Sequence, residues 1–140
     1  MIVVVDTNVM LTARAVRHAN HRLLQSFVAG HLVFAASTAI MLEYEEIITA
    51  RASAAEWRKL TALFDLADEL HGNVRHVEPS FRFHLIAADP DDDKFADCAI
   101  AAEAEWIITE DGHFETLRGS GHKPQPIAPA EFIARFLSAA

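Results

Sequence analysis

Residues 89–111 read DPDDDKFADCAIAAEAEWIITED, and the fold is decided by how this stretch is read. Asp91, Asp92 and Asp93 open an apolar run, and carboxylates suit a helix N-terminus, where unpaired N–H groups and the helix dipole favour negative charge. Phe95, Ala96, Cys98, Ala99, Ile100, Ala101 and Ala102 make that helix apolar nearly all round, as expected of one packed within a fold. Asp97 breaks the apolar surface one turn after Asp93, at the i, i+4 spacing that sets both carboxylates on one side. Lys94, the cation within the run, projects about 100° away from Asp93 around the helix. Trp106, Ile107, Ile108 and Thr109 then read as a strand buried on both faces that delivers Asp111 to its C-terminal end. Several carboxylates therefore crowd toward one edge of one sheet.

Working outward, Ile2 to Val5 is a β-branched strand ending at Asp6, and Thr7 and Asn8 turn the chain into a helix. Residues 8–17 and 20–29 are predicted helical, with Gly30 as the stop. Leu32 to Ala35 is a second strand, after which Ser37 or Thr38 caps a helix running to about Ala50. Ser53 and Glu56 match a capping box, and the helix that follows is closed by Gly72. Val74 to Val77 forms a third strand, whereas residues 80–90 carry no legible pattern. Toward the end come a short helix at 113–118, a loop at 119–124, and an edge strand from Gln125 to Ala128 flanked by prolines. Pro129 suits a first helical position, and Phe132, Ile133, Phe136 and Leu137 make a terminal amphipathic helix. Strands alternating with helices predict a single α/β domain over residues 1–140, with three α/β/α layers and a central, mainly parallel sheet.

Composition narrows the function. At 140 residues and 51% hydrophobic content the chain suits one well-buried domain. The formal charge of −8 argues against holding nucleic acid by bulk electrostatics, but leaves room for metal that bridges carboxylates to phosphate. Cys98 is the single cysteine, so an internal disulfide is excluded, a thiolate zinc site cannot be built by it alone, and a core role is expected. The 8 histidines are scattered without a helical His-x3-His pair. MIVVVD meets an acid too early for a signal peptide, and no apolar run approaches the roughly 18 residues of a membrane span. A cytosolic (cytoplasmic) protein with no membrane partner is expected.

In parallel sheets ligands bind beyond the C-terminal strand ends, where the strand order switches. Asp6 and Asp111 sit at such ends, Asp93 enters the helix before the last core strand, and Glu43 lies about two turns into the helix after the second strand. Oxygen donors suit hard cations such as Mg2+ or Mn2+, and converging carboxylates without a cation would repel one another. Each acid also has an ordinary reading: Asp6 and Asp111 as caps, Asp93 as a dipole partner, Glu43 as a solvated helix residue.

With these residues in view, the sequence resembles the PIN-domain ribonucleases, and among them the VapC-type toxin components. The resemblance is carried by VVVDTNV at the start, STAIMLEYEEII after the second strand, DPDDDKFADCAIAAEAEWIITED, and PIAPAEFIARFL. It implies that the four acids of the family fall on Asp6, Glu43, Asp93 and Asp111, with Asp97 as an additional metal-contacting acid. Thr7, Asn8 and Thr109 fall on the small polar positions lining such sites. Asp91 and Asp92 adjoin the third acid and could shift it by one; Asp93, sixteen residues before Thr109, fits the spacing best. Where the family often has Gly, this chain has Glu103 and Glu110. The resemblance implies Mg2+- or Mn2+-dependent endonucleolytic cleavage of RNA, an antitoxin protein as partner, and a homodimer. Arg14, Arg17 and Arg22 are the nearest basic groups in sequence to guide RNA. Two other readings compete. One is a haloacid-dehalogenase-like phosphatase with Asp6 as nucleophile, against which stands Asn8 in place of a second acid. The other is a non-catalytic PIN-like binding module, against which stand the retained acids.

Overall fold

The structure is a computed structural model and describes residues 1–80, 93–121 and 123–137. Valines at 3, 4 and 5, all nearly inaccessible to solvent, make β1 (Ile2–Val5) the central strand. Against it lie β2 (Val33–Ala36) on one side and β4 (Trp106–Ile108) on the other. The edges are β3 (Val74–His76) and β5 (Gln125–Ile127), giving the order β3-β2-β1-β4-β5. All pairings are parallel, so the expected mainly parallel sheet is wholly so. Pro126 is tolerated in β5 because an edge strand has one side without a ladder to donate to. Successive strands are added on one side of β1 up to β3 and then on the other side, which places the switch between β1 and β4.

Helices flank the sheet. Of these, α1 (Thr7–Ala13), α2 (His21–Val28), α3 (Thr38–Arg51) and α4 (Ala54–His71) pack against one another, while α5 (Asp93–Ala101) packs across β1, β2 and β4. Ser37 caps α3 and Ser53 caps α4, each by accepting a backbone N–H three residues on. Gly72 ends α4 in the left-handed conformation at φ 61°. The sheet and the helices share one core: the rings of Phe27 and Phe34 stack at 4.2 Å, and Phe64 meets Phe27 edge-on at 5.4 Å. Each such side chain, taken out of water, contributes about 1.5–3 kcal/mol. Cys98 lies in this core, and burial pushes its thiol up to about 12, as suits a packing residue.

Two elements differ from expectation. The first helix stops at Ala13, not near residue 17. The Asn20 amide donates to the Thr12 hydroxyl at 2.9 Å and the His21 ring meets the Ala13 carbonyl at 2.7 Å, so side chains from the next helix take over where the turns end. No Gly or Pro marks this stop. At the other end of the chain, α6 (Pro129–Phe132) continues as a π-helical segment, Ile133–Leu137, where one amphipathic helix was expected. A 3-10 helix, Gly112–Leu117, stands at the predicted short helix. Residues 81–92, including Asp91 and Asp92, lie outside the described residues. No described helix is long and apolar enough to cross a membrane.

Candidate active site

The β1–β4 ladder runs one bond beyond Val5, from the Asp6 N–H to the Ile108 carbonyl at 3.0 Å. On the neighbouring strand the Thr109 N–H donates to the Ile127 carbonyl at 2.9 Å. Asp6 and Thr109 are therefore adjacent last rungs at the switch in strand order, and their side chains meet there. The Thr109 hydroxyl donates to Asp6 Oδ2 at 2.7 Å, and the Thr7 N–H donates to Oδ1 at 2.7 Å. Thr109 Oγ1 also accepts the Asp111 N–H at 2.9 Å, which fixes the backbone that carries the next acid. Asp111 in turn caps the 3-10 helix, its Oδ1 accepting the His113 N–H at 2.9 Å with the His113 ring 3.3 Å away. The ordinary capping roles of Asp6 and Asp111 are thus present, and both residues stand at the same edge as well.

Glu43 comes to this edge from α3. Its Oε2 accepts the Thr7 hydroxyl, and its Oε1 pairs with Lys94 Nζ at 2.7 Å. One residue on, the buried Tyr44 hydroxyl donates to the Val5 carbonyl and pins α3 to the end of β1. Burial foremost, with Cys98, Asp6 and Glu43 nearby, raises the Tyr44 pKa well above the usual phenol value, so it remains a donor.

Asp6 is 6% exposed, and burial raises its pKa above the usual carboxylate value. The bonds from Thr109 and Thr7 oppose that rise, while the charges of Asp111 and Glu43 add to it. Among the described residues no basic group offsets that rise. Desolvated, repelled by two other acids and met only by neutral donors, Asp6 is a carboxylate to which an added cation would be favourable. The donor set, all hard oxygens, fits Mg2+ or Mn2+. The geometry is not yet a closed cage: among the described residues no three His, Cys, Asp or Glu side chains gather closely enough to hold an ion.

The structure thus links Asp6, Thr7, Glu43, Thr109 and Asp111 by hydrogen bonds. Asp93 begins α5 and is half-buried, and Asp97 is buried one turn further along the same helix. Asn8 is exposed on the first turn of α1. The three arginines part company. Arg22 donates to the Leu137 carbonyl and lines a cavity of about 470 Å3 with Met1, Ser26, His31 and Phe136. Met1 precedes β1, so that cavity, and Arg22 with it, lies toward the opposite strand end from Asp6. Arg14 pairs with Glu56 at 3.5 Å, and Arg17 is exposed in the turn after α1. Sequence reasoning missed Lys94 and Tyr44 as site residues. The helical register of Lys94 pointed it away from Asp93, and nothing local names Glu43, on another helix, as its partner.

The fold has a relative among solved structures. The crystal structure of VapBC2 from Rickettsia felis bound to a DNA fragment from their promoter matches with a TM-score of 0.56 at 15% identity, over 90% of this chain and 98% of that one. No curated protein matches the sequence. The PIN domain, by contrast, matches residues 2–113, a span that holds every acid linked at the sheet edge, and the chain belongs to the PIN-domain family.

Proposed function

We propose that this protein is a metal-dependent endoribonuclease, the toxin of a toxin–antitoxin pair. The observation that carries the reading is Asp6 at the strand switch, held by Thr7 and Thr109, its pKa raised foremost by burial and further by the charges of Asp111 and Glu43, with no offsetting base among the described residues. Such an edge is suited to gripping a divalent cation and, through it, a phosphodiester. Asp6, Glu43, Asp93 and Asp111 would hold Mg2+ or Mn2+, with Asp97 as an added acid. When bound, the ion would supply Lewis-acid polarisation of the phosphoryl group and lower the pKa of a water so that its deprotonated form could act as nucleophile.

The remaining work falls to this chain's own side chains. Thr109 fixes one Asp6 oxygen and the Asp111 backbone together, so the two acids keep a set separation. Thr7 does the same for Asp6 and Glu43, through its N–H on one and its hydroxyl on the other. Tyr44 excludes water behind them. Lone-pair directions are thereby set before substrate arrives, which is where preorganised sites gain rate. Arg17 is the exposed basic group left to meet RNA phosphate, with Arg14 available if it leaves Glu56. An antitoxin partner is proposed from the toxin-type sequence motifs, and the VapBC2 structure is the fold precedent. A homodimer is proposed alongside it.

Labelled single-stranded RNA should be cut internally in Mn2+, with loss of at least ~100-fold in Asp6→Asn, while a simple phosphomonoester stays intact. Phosphomonoester turnover with a phospho-aspartate at Asp6 would move the protein to the phosphatase class. Against that class stands Asn8 in place of a second acid. Intact RNA despite bound Mn2+ would make it a binding module.

A further inference from the structure

Lys94 is the cation that the acidic edge already holds. Its Nζ lies 2.7 Å from Glu43 Oε1, and both side chains are about a quarter exposed, at 23% and 26%. The other Glu43 oxygen accepts the Thr7 hydroxyl, so the oxygen that Lys94 holds is the one whose partner a metal would displace. Lys94 also directly follows Asp93 at the start of α5, so its ammonium reaches from one helix to an acid on another. The pair thus sets a positive charge on one of the two acids whose charges add to the raised pKa of Asp6.

We propose that Lys94 is an internal counter-ion that competes with the divalent metal for Glu43 and so sets the metal concentration at which the site closes. The inference rests on the metal-dependent reading above. In the metal-free protein the ammonium partly neutralises Glu43. Loading requires Lys94 to leave Oε1, and the ion inherits a carboxylate that Thr7 still orients. Lys94 is in this sense a positioning residue acting through Glu43. An ion pair about a quarter exposed is still screened by solvent and a weak competitor, so the expected effect is modest.

The test is Mn2+ binding to the purified protein, read from the loss of the free-ion electron paramagnetic resonance signal and not from activity. Lys94→Gln and Lys94→Met should bind Mn2+ about threefold to tenfold more tightly than the parent protein. Lys94→Arg, which keeps the charge and can pair with Glu43, should return affinity to near the parent value. Circular dichroism checks that each variant is folded, and agreement between the Gln and Met variants guards against an effect of one side chain. Binding by Lys94→Gln where the parent protein binds nothing would support the proposal most directly. Unchanged or weaker binding in both neutral variants, with the parent binding Mn2+, overturns the counter-ion role and leaves the metal site standing. No binding by the parent or by any variant overturns both.

Discussion

A single carboxylate, Asp6, bears most of the electrostatic cost of this edge. Burial raises its pKa above the unfolded-chain value of about 3.9, so the folded state binds a proton there more tightly than the unfolded state does. The metal-free protein is therefore penalised as pH climbs from about 4 through the raised folded value, and the penalty is absent below that window. Asp6→Asn removes the charge but retains an oxygen for the Thr7 N–H and offers an amide to Thr109. In EDTA at pH 7 it should be more stable than the parent by urea midpoint, with the difference vanishing near pH 4. A variant less stable at pH 7 would show that the carboxylate is not the penalised group. What was legible here was local: an acid directly after an apolar strand stands at the strand end whatever the rest of the chain does. The Lys94–Glu43 pair was not, because it joins two helices whose separation only the packed fold sets.

Helix ends show the same division between local and tertiary causes. After α5 the Ala104 N–H donates to Ala99 and the Glu103 N–H to Ile100, the paired bonds of a glycine-type C-terminal motif, yet the residue in the left-handed position is Glu103 at φ 56°. The left-handed position that ends α5 is one glycine fills without strain, and this chain meets it with an exposed glutamate. A left-handed residue with a Cβ costs about 1–2 kcal/mol, partly offset by the greater unfolded-state freedom of glycine. Glu103→Gly should raise stability by about 0.5–1 kcal/mol, seen as a higher urea midpoint at unchanged slope. A lower midpoint would show that Glu103 makes a contact worth more than its strain. Capped helices such as α3 and α4 were readable to within a residue or so, since Ser37, Ser53 and Gly72 carry their own chemistry. The end of α1 was not readable, because Asn20 and His21 supply the stop from the following helix.

Across the whole molecule the acids add up to a domain that should respond to divalent cations as a unit. A ligand bound only by the folded state at 100 times its dissociation constant contributes about 2.7 kcal/mol. For a domain of this length that is a rise in melting temperature of roughly 10 °C. Mn2+ should produce a rise of that order in the parent protein and a smaller one in Asp6→Asn, while identical melting curves in EDTA and in excess Mn2+ would count against a metal site. The sheet order has a further consequence, one of time. β1 precedes the other strands of its sheet in the chain and has β4 as its second neighbour: 103 residues separate Asp6 from Thr109, so at ~5–20 residues per second its second edge waits roughly 5–20 s for β4. During that interval Val3, Val4 and Val5 offer an open strand edge to any sticky neighbour. Over the same interval Asp6 lacks its Thr109 donor and Asp111 does not yet exist, so the nascent chain is translated without its acidic edge and acquires it only when β4 docks.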